Sequence, residues 1–184
     1  MIAIEVQVLT KDNKPEFRGR IIEVDVQTTV LPNGRTMELE IVRHPGGAAV
    51  VAINDQYKVC LLKQFRVVMN DWLWELPAGK IDNREPPLQT AQRELAEEAG
   101  VTAQKWVELG HEISSPGIFT EIVHLYLAQG IARGKQAVEE HEVIEIHWID
   151  FHEALAMVYD GRIVDAKTII GLVQAWNRLN PKAQ

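Results

Sequence analysis

Apolar and polar residues alternate along the N-terminal part of the chain, a pattern typical of β-strands that bury one face. The alternating runs cover residues 2–8, 20–30 and 35–45. The polar cluster of residues 10–15 is expected to end the first run, and a turn at residues 32–34, Pro-Asn-Gly, joins the second run to the third. These runs predict a small antiparallel β unit over residues 1–45.

A second domain, residues 46–184, is predicted to begin at the pair Gly46 and Gly47, after which the apolar density rises. Its strand-like runs cover residues 48–53, 58–67, 105–113, 122–128 and 143–149. Its helical patterns cover residues 87–98, 151–161 and 165–179, and Gly100 ends the first of them. This mixture of strands and helices predicts an α+β fold class.

Composition and charge exclude several classes of function. The 184 residues are 46% apolar and 24% charged, which suits one main hydrophobic core. A formal charge of −7 without any basic run argues against nucleic-acid binding. No apolar run is long enough to span a bilayer, and the N-terminus lacks the basic start of a signal peptide, so no membrane association is expected.

The single cysteine, Cys60, lies in the apolar run KVCLL. One cysteine cannot form an internal disulfide, and this surrounding predicts a small buried hydrophobe, not a nucleophile. We therefore expect a protein of the reducing cytoplasm.

The most specific signal is a set of charged and glycine residues around the first predicted helix. Residues 79–101 read GKIDNREPPLQTAQRELAEEAGV. Seven positions in this spacing each demand one residue type, namely Gly79, Glu85, Arg93, Glu94, Glu97, Glu98 and Gly100. A chance match at a given start is on the order of one in 10⁹, at roughly 1/20 per position.

Three carboxylates of this helix, Glu94, Glu97 and Glu98, fall within roughly 100° of one another at about 100° per residue. Like charges this close repel one another, so they need a compensating cation unless water screens them. Carboxylate oxygens suit Mg²⁺ or Mn²⁺, whereas the alternative is a solvated acidic helix face. A neighbouring apolar stripe is expected to pack on a sheet, and it consists of Leu88, Ala91, Leu95 and Ala99.

The spacing of residues 79–101 looks like the Nudix box, with no departure at any defined position. From residue 48 to about residue 179 the chain is similar to Nudix hydrolases. The resemblance implies a mixed sheet sandwiched between helices, an α/β/α arrangement that the small antiparallel β unit precedes. It also implies metal-assisted hydrolysis of a diphosphate attached to another group.

Two further features resemble the ADP-ribose pyrophosphatases of this superfamily. Pro116 stands sixteen residues after Gly100, in SSPGIFTE, which looks like their proline-containing element. The N-terminal β unit is similar to the one that these enzymes exchange across a homodimer, in which it holds adenine, so Phe17 and Arg18 are expected contacts. The resemblance therefore implies a homodimer that hydrolyses ADP-ribose to AMP and ribose 5-phosphate.

The resemblance also implies roles for residues at the metal site. Glu94 and Glu98 match the glutamates that hold the metals, with Glu97 close by, and Ala78 matches a position whose backbone carbonyl is a further ligand. Arg93 is expected to orient the glutamates through charge-assisted hydrogen bonds. About two or three Mg²⁺ ions are expected, or Mn²⁺ in their place.

Other matched positions concern the substrate. Arg66, in KQFRV, matches an arginine that contacts the diphosphate. Glu121, in PGIFTE, matches a glutamate that contacts the terminal ribose, and Pro116 and Gly117 belong to the same substrate-binding element.

The general base in this subfamily resembles a glutamate on a loop well after the box. The matching cluster is Glu139, Glu140 and Glu142, of which we favour Glu142 and then Glu140. His141 is an alternative base by its chemistry. A loop of acidic residues is also commonly just solvated.

Three other functions stay open. The same chemistry suits another substrate, such as a different ADP-sugar, GDP-mannose or a dinucleotide such as NADH. A Nudix module that senses ADP-ribose without hydrolysing it is a second hypothesis, although a sensor has no need of all of Glu94, Glu97 and Glu98. The third is a purely structural acidic domain.

Overall fold

The structure, a computed structural model, describes residues 9–137 and 143–181. Within these ranges the chain forms ten strands and three helices. The strands are β1 (Leu9–Arg18), β2 (Glu23–Val30), β3 (Thr36–Arg43), β4 (Gly47–Ala52), β5 (Lys58–Arg66), β6 (Asp71–Glu75), β7 (Ala78–Lys80), β8 (Val101–Ile113), β9 (Ile122–Arg133) and β10 (Ile144–Asp150). The helices are α1 (Pro87–Ala99), α2 (Phe151–Tyr159) and α3 (Ala166–Leu179).

One compact unit combines the described part of Met1–Pro45 with Ile113–Glu121. Its strands form an antiparallel sheet in the order β1-β2-β3. The expectation that residues 10–15 end a strand is wrong, because these residues lie inside β1 and pair with β2. Backbone groups make the ladder, so exposed polar side chains do not interrupt an edge strand. The alternating run at residues 2–8 lies outside the described residues.

The other compact unit comprises the described residues of Gly46–Glu112 and Ile122–Gln184. One of its sheets has the order β7-β4-β9-β8, and there β4 pairs parallel with β9 and antiparallel with β7. The other sheet, β10-β5-β6, is antiparallel. The first of these sheets is therefore mixed, as the resemblance implied.

Strand β4 is buried on both faces and defines the layers of this unit. Ala49 and Val51 belong to a core that includes residues of α2 and α3, whereas Ala48 and Val50 belong to a core that includes residues of α1. Helices therefore cover opposite faces of the sheet, which makes an α/β/α sandwich. The predicted α+β fold class is confirmed.

Helix α1 carries Arg93 and the box glutamates 94, 97 and 98, and it packs against β4 and β7. It begins at Pro87, where the missing N–H costs nothing, and Gly100 ends it in the left-handed conformation with φ 64° and ψ 30°. The predicted apolar stripe is buried from Ala91 onward, but Leu88 in the first turn is 36% exposed. Among the described residues, none of the helices has the length and apolarity needed to span a bilayer.

Candidate active site

Strand β7 and helix α1 bring two carboxylates to adjacent backbone positions. The Ala78 N–H donates a hydrogen bond of 2.8 Å to Glu98 Oε2. At the next residue, a Cβ built on Gly79 would lie 1.9 Å from Glu94 Oε1. No side chain fits at that distance, so only glycine permits the Glu94 carboxylate to lie there.

The three box glutamates that lie on α1 differ in exposure. Glu98 is 3% exposed, whereas the side chains of Glu94 and Glu97 are 12% and 41% exposed. The helix face that carries them therefore runs from the core to the solvent. The burial of Glu98 does not fit a purely solvated acidic face, in which carboxylates stay in water.

Arg93 joins α1 to the loop that precedes it. Its Nη1 donates to Glu94 Oε1 at 2.6 Å and to Glu97 Oε2 at 3.0 Å. Its Nη2 donates to Glu85 Oε1 at 2.9 Å and to the Lys80 carbonyl at 3.1 Å. Burial alone would lower the pKa of Arg93, but the carboxylates around it raise that pKa above its ordinary value. Arg93 therefore stays charged and holds Glu94 near β7.

The residue types beside β7 suit a hard divalent ion. The described residues contain no group of three Asp, Glu, His or Cys side chains close enough to hold a metal ion. Two of the box carboxylates on α1, those of Glu94 and Glu97, accept hydrogen bonds from Arg93. The oxygen donors near β7 are the carboxylates of Glu94 and Glu98 and the backbone carbonyls, including that of Ala78. Oxygen donors of this kind are the ligands of Mg²⁺ and Mn²⁺.

Arg66, expected at the diphosphate, is held by a carboxylate that the sequence did not single out. Its Nε and Nη2 donate to the two oxygens of Glu75 at 2.6 and 2.7 Å. Lys167 Nζ donates to Glu75 Oε2 at 2.6 Å and to Asp165 Oδ1 at 2.9 Å. Four charged side chains from β5, β6 and the start of α3 thus form one network around Glu75, which is 2% exposed.

The network keeps its buried members charged. Burial by itself raises the pKa of Glu75, but the hydrogen bond from Arg66 and the charge of Lys167 outweigh it, so this pKa lies below its usual range. Burial lowers the pKa of Lys167, yet Asp165 and Glu75 raise it above its ordinary value. The sequence offered one signal, a glutamate inside the apolar run WLWELP, but no local pattern links it to Lys167, 92 residues away.

Glu121, expected at the terminal ribose, belongs to the unit that contains the N-terminal strands. Its Oε2 accepts a hydrogen bond from Ser114 Oγ at 2.5 Å, and its Oε1 lies 3.2 Å from His44 Nδ1. Pro116 and Gly117 lie in the turn that follows Ser114. No local sequence pattern pairs His44 with Glu121, because the residue after β3 and the SSPGIFTE segment are far apart in the chain.

Phe17 and Arg18, expected near adenine, end strand β1. Phe17 is 55% exposed, and Arg18 forms an ion pair with Glu23 at 2.8 Å. Both residues pair with β2 through the backbone. Their role at adenine stays a prediction.

The candidates for the general base lie outside the described residues; they are Glu139, Glu140 and Glu142, with His141 as the alternative. The residues on either side of this segment are described. The Ala137 N–H donates to the Glu97 carbonyl at 2.9 Å, and the Phe65 N–H donates to the Val143 carbonyl at 3.1 Å. One flank is therefore fastened to the end of α1 and the other to the end of β5.

A model of the NUDIX domain family matches residues 43–170, more than half of the chain. The chain therefore belongs to the NUDIX domain family. Hydrolases of this family generally use a divalent metal, which agrees with the oxygen donors beside β7.

Individual relatives cover almost the whole chain. The ADP-ribose pyrophosphatase of Bacillus subtilis (strain 168) is 38% identical over 170 residues, 91% of this chain and 91% of that protein. The methanol dehydrogenase activator of Bacillus methanolicus is 39% identical over 158 residues, 85% of each chain. A crystal structure of ADP compounds hydrolase matches with a TM-score of 0.79 and 20% identity over 95% of this chain and 96% of that chain, which shows the same fold.

Proposed function

We propose that this protein hydrolyses the diphosphate of ADP-ribose to AMP and ribose 5-phosphate. The observation that carries the proposal is the position of Glu94 and Glu98 against Ala78 and Gly79, which gathers oxygen donors beside β7. The identity of 38% with an ADP-ribose pyrophosphatase over 91% of both proteins supports the choice of substrate.

Mg²⁺ is the proposed metal, as about two or three ions, with Mn²⁺ as a substitute. Glu94, Glu98 and the Ala78 carbonyl would hold these ions, with Glu97 close by. Bound divalent ions neutralise the charge of a diphosphate and make water a better nucleophile. Arg93 restrains Glu94 through a hydrogen bond of 2.6 Å, so this carboxylate stays near β7 before the metal binds.

The proposed general base is Glu142, followed by Glu140 and Glu139, and its role is to take a proton from the attacking water. The attachment of one flank of this segment to the end of α1 and of the other to the end of β5 supports the proposal. Replacement of each glutamate in turn is the direct test.

Arg66 is proposed to bind the diphosphate, because its guanidinium stays charged and its side chain is 41% exposed. Glu121, with Pro116 and Gly117, is proposed to bind the terminal ribose. A carboxylate accepts hydrogen bonds from sugar hydroxyls, and the hydrogen bond from Ser114 supports this role by holding Glu121 in one orientation.

The protein is also proposed to be a homodimer in which residues 1–45 are exchanged and residues 46–184 form the catalytic domain. Phe17 and Arg18 would then contact adenine, and the exposure of Phe17 supports this. Sedimentation at micromolar concentration tests the assembly, and a monomer would refute it. A cytoplasmic location is proposed because Cys60 is a free, buried thiol.

A second candidate is hydrolysis of another nucleoside diphosphate derivative, such as GDP-mannose or NADH. Relatives of nearly equal identity, 38% and 39%, are a pyrophosphatase and an activator of a dehydrogenase, so identity alone does not select the substrate. A sensor that binds ADP-ribose without turnover is a third candidate.

A substrate panel with Mg²⁺ tests these candidates directly. The protein is incubated with ADP-ribose, other ADP-sugars, GDP-mannose and NADH, with and without a chelator, and released AMP or GMP is measured. We expect the highest kcat/KM for ADP-ribose and no release after chelation. If another compound of the panel has the highest kcat/KM, that compound replaces ADP-ribose as the proposed substrate. If no compound is hydrolysed, the proposal that the protein is an enzyme is refuted.

A further inference from the structure

We propose that Glu75 and Lys167 are positioning residues that hold Arg66 in the orientation in which it binds the substrate diphosphate. This inference rests on the proposed function, in which Arg66 contacts the diphosphate. Neither Glu75 nor Lys167 touches the substrate in this proposal, and both act through Arg66.

Glu75 holds Arg66 through both oxygens of its carboxylate. Two parallel hydrogen bonds of 2.6 and 2.7 Å join the Nε and Nη2 edge of Arg66 to the Glu75 carboxylate. A bidentate pair of this kind fixes the plane of the guanidinium. The other edge, which includes Nη1, therefore faces away from Glu75 and can donate to an anion.

Lys167 in turn holds the Glu75 carboxylate. Lys167 Nζ donates to Glu75 Oε2 at 2.6 Å, so this oxygen accepts from both Lys167 and Arg66. Because Glu75 is 2% exposed, water does not compensate for the loss of one of its donors. Without Lys167 we expect Glu75 to change its rotamer or shift toward Arg66, and the guanidinium then loses its fixed plane.

Lys167 is itself held at the start of α3. Lys167 lies in the first turn of α3, and its Nζ also donates to Asp165, the N-cap residue of that helix, at 2.9 Å. The Leu76 N–H donates to Thr168 Oγ1 at 2.9 Å, which ties the residue after Glu75 to the same turn. Glu75 and Lys167 thus come from two segments that a hydrogen bond from the Leu76 backbone to the Thr168 side chain also holds together.

The location of Arg66 decides how a loss of its orientation affects KM and kcat. The hydrogen bond to Glu75 is the main cause of the raised pKa of Arg66, and the charge of Glu98 adds to it, so the guanidinium lies within electrostatic reach of the box carboxylate. A cation there favours a diphosphate bound beside the metal site. If Arg66 binds the diphosphate equally in the ground and transition states, a loss of its orientation raises KM and changes kcat little.

The test is a double-mutant cycle with ADP-ribose and Mg²⁺. The variants are Lys167→Met, Arg66→Ala and the double variant, with kcat and KM measured separately. We expect Lys167→Met and Arg66→Ala each to raise KM, by about 5-fold and about 10-fold or more, and the double variant to resemble Arg66→Ala alone. Multiplied effects in the double variant would overturn the proposal, because Lys167 would then act independently of Arg66.

Two controls separate positioning from general damage. Lys167→Arg keeps the charge and the donors and is expected to restore most of the affinity. Arg162→Met removes a cation from an exposed ion pair with Glu153 at 2.8 Å and is expected to leave KM unchanged. All assays are run well below the thermal midpoint of each variant. If Lys167→Met does not fold, Glu75→Gln takes its place in the cycle.

The outcomes distinguish this inference from the proposed function. An active wild type with an unchanged KM in Lys167→Met refutes only the positioning role. A wild type that hydrolyses no member of the panel refutes the proposed function. In that case the dissociation constant of ADP-ribose is measured by calorimetry for the same set of variants. Loss of affinity in Arg66→Ala but not in Lys167→Met overturns the inference in that case too.

Discussion

The Glu94 carboxylate occupies the space where a side chain of Gly79 would lie. A Cβ on Gly79 would stand 1.9 Å from Glu94 Oε1 and 2.2 Å from its carboxyl carbon. The backbone of β7 and the carboxylate of α1 can therefore approach this closely only because residue 79 has no side chain. The first glycine of the box is thus explained by contact with a glutamate fifteen residues later.

We predict that Gly79→Ala abolishes most of the activity. The new methyl group must displace Glu94 or β7, and a misplacement of about 1 Å at a catalytic group costs on the order of 10² in rate. The measurement is kcat/KM for ADP-ribose at saturating Mg²⁺. Gly134→Ala is the matched control, because its Cβ would make an ordinary contact at 3.4 Å. A loss below tenfold in Gly79→Ala would show that the position of Glu94 is not critical.

We predict that Glu98→Gln lowers kcat by about 10³ or more, because the amide keeps the shape of the side chain but removes a metal-binding charge. Gln retains an oxygen that can accept from the Ala78 N–H, so the fold is expected to persist. Thermal unfolding checks the fold, and a titration with Mg²⁺ checks the metal affinity. Glu153→Gln, at an exposed ion pair, is the control. A change below tenfold would mean that the metal lies elsewhere.

Parts of the fold that depend on local sequence could be predicted. The end of α1 at Gly100 follows from the need for a left-handed residue there. The apolar run after Gly47 predicted a strand, and β4 is buried on both faces as such runs are in mixed sheets. The prediction that a strand ends at the polar residues 10–15 is wrong, because strand pairing, not side-chain polarity, decides where an edge strand ends.

Contacts between distant segments could not be predicted from one sequence. Glu75 and Lys167 carry no shared motif, and their 2.6 Å hydrogen bond arises from the way α3 packs on the unit. The contact between Glu121 and His44 likewise joins two segments that are far apart in the chain. The box glutamates could be recognised by spacing, but their difference in burial, from 3% to 41%, depends on the neighbouring strand.

For the general base, we predict that one of Glu142→Gln, Glu140→Gln and Glu139→Gln lowers kcat strongly while the other two stay near the wild-type rate. Loss of a positioned general base costs about 10²- to 10⁴-fold. The pH dependence of kcat identifies the base, since its variant should lose the acidic limb of the profile. Three near-wild-type rates would remove this segment from the mechanism, and His141→Asn would be examined next.

We predict that the charge of Glu75 makes the stability of the folded protein depend on pH in the acid range. The folded-state pKa of Glu75 is lowered from 4.5, so its carboxylate stabilises the folded protein fully above that pH, and this stabilisation is lost as the pH falls through the lower, folded-state pKa. Glu75→Gln is therefore expected to be less stable than the wild type by about 3 kcal/mol at pH 7. The difference should begin to shrink below about pH 4.5, where the Glu75 carboxylate is protonated in the unfolded state while it is still ionised in the folded protein. Urea unfolding of both proteins at pH 7 and at pH 4 or below measures it. A difference that is constant with pH would show that Glu75 contributes through shape and not through its charge.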